Sequence, residues 1–158
     1  DFFAWAERGR RAEDYVAVIR TLWNDPDPAF SGRFYTLPAC RQLPKPVQKP
    51  LPLWFGGWTD AALDRTARLG DGWYGFDMPP DAVAAHVKHL RQLLAKYGRA
   101  ADSVRIACGA YALMPSKPAD LDAYAQAGVA RFVLSLTARD RAGMLAQLED
   151  HARNFIGE

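Results

Sequence analysis

Apolar residues near the start of the chain recur three or four positions apart. They are Tyr15, Val16, Ile19, Leu22 and Trp23. This spacing predicts a helix over residues 11–23, which Asp25-Pro26 ends. Residues 26–52 contain seven of the eleven prolines. Because proline lacks a backbone donor and biases the preceding residue toward extended structure, we expect a long excursion there, with at most a small hairpin near residues 34–37.

After residue 52, short apolar segments alternate with amphipathic ones. The predicted strands are 52–56, 71–76, 104–113 and 131–136, and the predicted helices are 60–69, 80–97, 119–127 and 138–155. Four βα units in this order favour a parallel sheet with right-handed crossovers, because parallel neighbours need a helix to bring the chain back. The helix 80–97 carries one apolar stripe that should pack inward, formed by Val83, Val87, Leu90, Leu94 and Tyr97.

The corner between the first of these strands and its helix has the sequence Gly56, Gly57, Trp58, Thr59. Glycine lets the chain bend and a ligand approach, Thr59 can cap the helix, and the N–H groups of the first helical turn carry partial positive charge. The corner therefore predicts a site for the phosphate of a cofactor or substrate. The alternative is that Gly-Gly makes a tight turn and Thr59 caps a helix without any ligand.

The second strand opens with Asp71-Gly72-Trp73. A carboxylate in such a position needs partners, so we expect Asp71 to accept hydrogen bonds and to fix the adjoining helix end. Strand alternation sends Trp73 and Tyr74 to opposite faces, but the pattern does not say which face the helices cover.

Side-chain chemistry elsewhere in the chain is sparse. His86 and His89 are three apart on a helix without a suitable third ligand nearby, so we interpret them as surface residues, as we do His151. The sequence contains no Ser/His/Asp order, Walker loop or GxGxxG motif. The absence of a side-chain nucleophile suits an enzyme whose chemistry is carried by a cofactor.

Composition narrows the class of protein. The 158 residues are 49% apolar and 24% charged with a net charge of +2, which indicates one globular domain and argues against disorder and against nucleic acid as a partner. Cys40 and Cys108 belong to no CxxC or Cys/His cluster, so reduced thiols are expected. No apolar segment approaches the roughly 20 residues that span a bilayer, so we expect no membrane association and, by default, a cytoplasmic location.

Several motifs together resemble the luciferase-like monooxygenase family of flavin- or deazaflavin-dependent oxidoreductases. They are ERGRRAEDY (7–15) leading into Leu22-Trp23, FSGRFY (30–35), PKPVQKP (44–50), PLWFGG (52–57) and ARLGDGW (67–73). Their order and spacing carry the resemblance, whereas beyond Phe76 only the rhythm of helices and strands matches.

The resemblance implies a fold and a cofactor. Members of the family are TIM barrels with four further strand–helix units before this point, so the chain would be the C-terminal half of a barrel, a single domain whose N-terminal half is absent. The cofactor would be the deazaflavin F-420 or FMN, with the phosphate beside Gly56, Gly57, Trp58 and Thr59. The motif set looks more like the deazaflavin-using branch.

The same resemblance implies an oxidoreductase or monooxygenase acting on a small organic substrate. Acid/base and substrate-orienting residues would come largely from the N-terminal strands, so the chain alone is expected to bind the cofactor weakly or not at all. In barrels of this kind functional groups gather at the carboxyl ends of strands, which also makes Ser135, Thr137 and Arg139 a competing anion site. We rank it second, because Arg139 adjoins Asp140 and Arg141, where a solvated charge cluster is the simpler explanation.

Four strands cannot close an eight-stranded barrel, which typically needs about 250 residues. An open half leaves two unpaired edges and an apolar face exposed, so we expect either a homo-oligomer or association with a missing N-terminal half. Two alternatives remain: a non-catalytic, self-associating half-barrel that binds a phosphate-bearing ligand or none, and an open-sheet regulatory domain of flavodoxin-like shape.

Overall fold

The computed structural model describes residues 5–157 and divides into two compact units, Asp1–Pro52 and Leu53–Glu158. In the first unit a short 3-10 turn, Trp5–Glu7, leads into helix α1, Arg8–Asn24. Strands β1, Phe30–Ser31, and β2, Thr36–Leu37, pair antiparallel. The predicted helix and the small hairpin are therefore confirmed, although α1 begins three residues earlier than the apolar spacing indicated.

The proline-rich segment is tied to α1 by polar contacts within this unit. Lys45 Nζ donates a hydrogen bond to the Leu22 carbonyl oxygen (2.7 Å), and Asp14 Oδ2 accepts one from the Phe34 N–H (2.7 Å). The first contact satisfies a carbonyl oxygen that has no partner within the helix, because it lies in the last turn of α1. The second uses a side-chain carboxylate as the acceptor, so neither contact is a backbone pair of a β-sheet.

The second unit is a four-stranded parallel sheet with the strand order β3-β4-β5-β6. Its strands are β3, Trp54–Gly56; β4, Gly72–Phe76; β5, Arg105–Ala110; and β6, Arg131–Leu134. Its helices are α2, Asp60–Leu69; α3, Pro80–Lys96; α4, Pro118–Gln126; and α5, Arg141–Phe155. Consecutive strands are neighbours throughout, as in a barrel, and the order contains no reversal of the kind that a flavodoxin-like sheet requires.

One hydrophobic core joins the sheet to helices α2, α3 and α4. Trp73, at 0% exposure, and Cys108 face this core together with Leu63 of α2, Leu90 of α3 and Tyr124 of α4. Trp54, Tyr74 and Phe76 lie outside it, on the other side of the sheet, which we call the open face. The α3 stripe is buried as predicted except for Tyr97, which is exposed at the helix end and donates its hydroxyl hydrogen to Asp64.

Two element ends differ from the predicted ones for identifiable reasons. Strand β5 ends at Ala110, three residues before the predicted 113, because the next amides turn toward the carboxylate of Asp77. Helix α5 begins at Arg141 because the Asp140 side chain accepts a hydrogen bond from the Gly143 N–H (2.8 Å) and caps it there. Side-chain acceptors thus set both boundaries.

Candidate functional site

The four predicted site residues form the exposed corner between β3 and α2. Gly57 has φ +93°, a conformation that favours glycine, and a Cβ there would meet the Ala62 side chain at 3.1 Å. Thr59 caps α2: its carbonyl oxygen accepts from the N–H groups of Ala62 and Leu63 (2.9 Å each), and its hydroxyl lies 3.3 Å from the Ala62 nitrogen. The strand–corner–helix layout is as predicted.

The corner offers donors that the chain itself does not use. Within residues 5–157, the N–H groups of Trp58, Asp60 and Ala61 donate to no protein acceptor, and all three residues are exposed. Because these amides belong to the corner and the first turn of α2, they carry the partial positive charge of a helix start. The corner thus presents three exposed N–H donors, while the Asp60 carboxylate, 94% exposed and 3.6 Å from His89 Nδ1, adds a negative charge beside them.

A side chain of the protein itself uses two amides of the competing anion site. Gln147 Oε1, on α5, accepts hydrogen bonds from the N–H groups of Thr137 and Ala138 (2.9 Å each), and its Nε2 donates to Thr137 Oγ1 (3.0 Å). Arg139 is exposed, and the Ser135 carbonyl oxygen lies 3.4 Å from His151 Nε2. The amides of Thr137 and Ala138 are therefore satisfied within the protein, in contrast to three amides of the β3–α2 corner.

Asp71 accepts a backbone hydrogen bond, as expected, but it does not fix the adjoining helix end. Its Oδ2 accepts a hydrogen bond from the Leu53 N–H (2.9 Å), and its own N–H donates to the Leu53 carbonyl oxygen (2.8 Å). The adjoining helix end is instead fixed by Arg99, which donates to the carbonyl oxygens of Ala67 and Gly70 (2.8 Å each). Asp71 therefore holds the start of β3 against β4.

An aromatic row lies on the open face and runs toward the carboxyl edge of the sheet. Tyr74 and Phe76 alternate with the buried Trp73, and their ring centroids are 6.3 Å apart. Tyr111 continues the row, with its ring edge-on to Phe76 at 5.1 Å. Tyr74, and not Trp73, is thus the residue of that pair available to a ligand on this face. Gly56 pairs in register with Tyr74, so the corner and the row adjoin.

Burial suppresses ionisation in this region. It raises the pKa of the Tyr74 phenol above its ordinary value and raises that of the Cys108 thiol to about 11. Tyr74 therefore remains a neutral hydrogen-bond donor at neutral pH, and Cys108 remains a thiol that cannot act as a thiolate nucleophile.

The histidines are not gathered into a site. His86 lies beside the Trp73 ring (centroids 6.0 Å apart), and His89 faces Asp60. Within the described part of the chain no group of three or more His, Cys, Asp or Glu residues could hold a metal ion.

Between residues 5 and 157 no helix combines the length and apolar character needed to cross a bilayer.

Sequence reasoning did not single out two side chains that hold the backbone near the carboxyl edge, Asp77 after β4 and Gln147 on α5. Asp77 follows β4 directly, and an aspartate at the carboxyl end of a parallel strand was the available signal. Gln147 gave no signal, because its partners lie nine and ten residues away across a helix start.

A parallel βα sheet in which consecutive strands are neighbours is the arrangement of four βα units of a TIM barrel. A sequence model of the family described as luciferase-like monooxygenase matches residues 2–156. The chain therefore belongs to the luciferase-like monooxygenase family, as the sequence motifs indicated.

Two relatives illustrate the sequence likeness. An uncharacterised protein of Mycobacterium tuberculosis is 38% identical over 91 residues, which cover 56% of this chain and 31% of that protein. An FMNH(2)-dependent dimethylsulfone monooxygenase of Pseudomonas putida is 31% identical over 108 residues, which cover 68% of this chain and 29% of that enzyme. The matched part thus spans less than a third of each relative.

Solved structures support the fold. An F420-dependent secondary alcohol dehydrogenase in complex with an F420-acetone adduct superposes with a TM-score of 0.78 at 14% identity, over 99% of this chain and 64% of that one. The coenzyme F420-dependent tetrahydromethanopterin reductase of Methanopyrus kandleri gives 0.73 at 12% identity, with the same coverage. At these identities the likeness concerns the fold alone.

Proposed function

We propose that the protein is a flavin- or deazaflavin-dependent oxidoreductase that acts on a small organic substrate. The observation that carries the proposal is the adjacency of two features: unused amides at the β3–α2 corner and a row of aromatic rings on the neighbouring strand. FMN and F-420 share a planar tricyclic ring and a phosphate-bearing tail, which these two features suit. Relatives whose names specify FMNH(2) or F420 support the choice of cofactor.

The corner would hold the phosphate. The N–H groups of Trp58, Asp60 and Ala61 are the donors, while Gly56 and Gly57 leave the backbone accessible because they carry no side chain. Thr59 keeps its capping role and so maintains the helix start. This retains Gly56, Gly57, Trp58 and Thr59 as the proposed cofactor-binding residues.

The aromatic row would receive the ring system. Tyr74 and Phe76 present their rings on the open face, and the Tyr74 hydroxyl can donate a hydrogen bond to a ring carbonyl or nitrogen. When bound, a flavin or deazaflavin would supply hydride transfer or oxygen activation. The chain's own residues would position the ring and exclude water from one side of it.

The rest of a barrel would complete this site. The superposed structures extend well beyond the matched region, since the chain covers 64% of them. We propose that the chain acts as the C-terminal half of a barrel and that the remaining strands close the open face and contribute acid/base groups. β3 and β6 are the terminal strands of the described sheet, and their outer edges would be the pairing sites for such strands.

A fluorescence titration tests the proposal. The protein at its full natural length should bind FMN or F-420, and riboflavin, which lacks the phosphate, should bind more weakly than FMN. If none of these ligands binds, the proposed function is wrong. If riboflavin and FMN bind equally, the ring site stands and the phosphate site at the corner is refuted.

A non-catalytic, self-associating half-barrel is the second candidate function. It is favoured by apolar side chains exposed on and beside α5: Met144, Leu145, Leu148 and Ile156. Together with the open face these would be buried by a second copy. Sedimentation equilibrium of the 158-residue chain should then show a concentration-dependent mass above 17.6 kDa, whereas turnover by the isolated chain would exclude this function.

A further inference from the structure

Asp77 joins two strand ends at the carboxyl edge of the sheet. Its Oδ1 accepts hydrogen bonds from three successive amides, those of Tyr111 (2.9 Å), Ala112 (2.9 Å) and Leu113 (3.1 Å). Its own N–H donates to the Gly109 carbonyl oxygen (2.9 Å). The residue that follows β4 thus fixes the path of the chain after β5.

The backbone of Asp77 has a left-handed conformation, which is uncommon for a residue with a Cβ. Its φ is +53°, and no other non-glycine residue in the described part of the chain has a positive φ. A left-handed conformation costs free energy for a residue with a Cβ, although aspartate tolerates it better than most residues do. Three hydrogen bonds to a charged acceptor offset that cost.

The segment that Asp77 holds contains the outermost ring of the aromatic row. The Tyr111 ring meets Phe76 edge-on, with 5.1 Å between centroids and an angle of 83° between the planes. Tyr111 is 59% exposed, so little besides Phe76 and the backbone restrains it. The position of this ring therefore depends on the three hydrogen bonds to Asp77.

We propose that Asp77 is a positioning residue: it holds the segment 111–113 so that the Tyr111 ring forms the outer wall of the cofactor ring site. The wall role rests on the proposed function, whereas the holding role depends only on the observed hydrogen bonds. Asp77 would not touch the cofactor itself. Its negative charge is stabilised by the three amides of residues 111–113.

Hydrogen exchange tests the holding role without any ligand. In Asp77→Ala, the amides of residues 111–113 should lose protection, and Asp77→Asn should restore part of it because its amide oxygen is still an acceptor. Asp120→Asn is the matched control: Asp120 accepts in the same way from the N–H groups of Ser116 (2.9 Å) and Lys117 (3.2 Å), outside the segment. Unchanged protection of residues 111–113 in Asp77→Ala would overturn the proposal.

A double-mutant cycle on cofactor affinity tests the wall role. In the full-length protein, Tyr111→Ala should weaken FMN or F-420 binding by about three- to tenfold, which is the range expected for one aromatic contact. Asp77→Ala should weaken it similarly, but should have little further effect when Tyr111 is already alanine. Asp77→Asn should recover most of the loss.

The outcomes separate this inference from the proposed function. If the wild-type protein binds no cofactor, the proposed function and the wall role both fail, while the exchange experiment still decides the holding role. If the cofactor binds and the two substitutions act additively, Asp77 does not act through Tyr111, and the positioning role is refuted.

Discussion

The indole N–H of Trp73 donates a hydrogen bond to the carbonyl oxygen of Gly57 (2.8 Å). Because a trans peptide is planar, the carbonyl of Gly57 and the N–H of Trp58 point in opposite directions. The carbonyl faces the buried indole, so the N–H of Trp58 faces away from the core, toward solvent. A core residue thus sets the direction of one of the three donors at the β3–α2 corner.

Replacing Trp73 with phenylalanine tests this relationship. Trp73→Phe removes the donor and some buried volume, so we expect a loss of about 1–3 kcal/mol in the free energy of unfolding. Urea denaturation measures it. FMN affinity should fall more than riboflavin affinity, since the phosphate donor is misdirected. The control Trp58→Phe changes an indole that is 57% exposed and should leave stability within about 0.5 kcal/mol. An equal effect of Trp73→Phe on both ligands would contradict the argument.

Two substitutions of Asp60 isolate a single amide of the corner. Asp60→Ala removes only the carboxylate, whereas Asp60→Pro removes the carboxylate and the N–H. Proline is tolerated at the first position of a helix, and the preceding Thr59 already has the extended backbone that proline requires (φ −69°, ψ 154°).

The variants Asp60→Ala and Asp60→Pro should differ in their affinity for FMN. Asp60→Ala should bind FMN slightly more tightly than wild type at low salt, because a negative charge is gone. Asp60→Pro should bind FMN about 1.5–3 kcal/mol more weakly than Asp60→Ala, the value of a hydrogen bond to a charged group. Fluorescence titration measures both, and riboflavin affinity should not distinguish the variants. Equal FMN affinities would show that this amide makes no phosphate contact.

How far the sequence predicted the structure can be judged from a few residues. Helix α2 has the predicted bounds, 60–69, because Thr59 and Gly70 mark both of its ends locally. The predicted end of β5 was three residues too late. The chain leaves the strand because its amides turn toward Asp77, which lies 34 residues before Tyr111 in the sequence. The faces of Trp73 and Tyr74 could not be assigned, because alternation gives opposite directions without saying where the helices pack. The ligand-binding role of residues 56–59 remains a prediction.

The Asp77 contact should depend on pH. Its three amide partners, Leu113 foremost, lower the pKa of the carboxyl below its ordinary value. The stabilising contribution is therefore present above about pH 4, the unfolded value, and is lost as pH falls through the lower folded pKa. Tyr124 of α4 also interacts with Asp77, but burial is the main cause that raises the pKa of its phenol, and the group is neutral throughout this range.

Amide proton shifts of residues 111–113 measure this titration directly. In the wild type they should move together as pH falls below about 4, and in Asp77→Asn the movement should disappear. Asp120→Asn should retain it, although the pKa of Asp120 is lowered as well, by Ser116 and Lys117. Identical titrations in wild type and Asp77→Asn would assign the change to another group.

Gly109 provides a way to disturb the ring site without touching the corner. A Cβ at this position would overlap the Tyr74 hydroxyl, so Gly109→Ala must displace the Tyr74 ring from its place on the open face. Gly75→Ala is the matched control on the same sheet, since a Cβ there would point to the core side, 3.0 Å from Cys108 Sγ and from the Trp73 ring.

We expect Gly109→Ala to weaken the binding of FMN and of riboflavin equally, by about 0.5–1.5 kcal/mol, because the lost contact is with the ring. Gly75→Ala should reduce stability while leaving the ratio of the two affinities and the Tyr74 position unchanged. If Gly109→Ala weakened FMN alone, Tyr74 would act on the phosphate, and the division of the site into a ring-binding row and a phosphate-binding corner would be wrong.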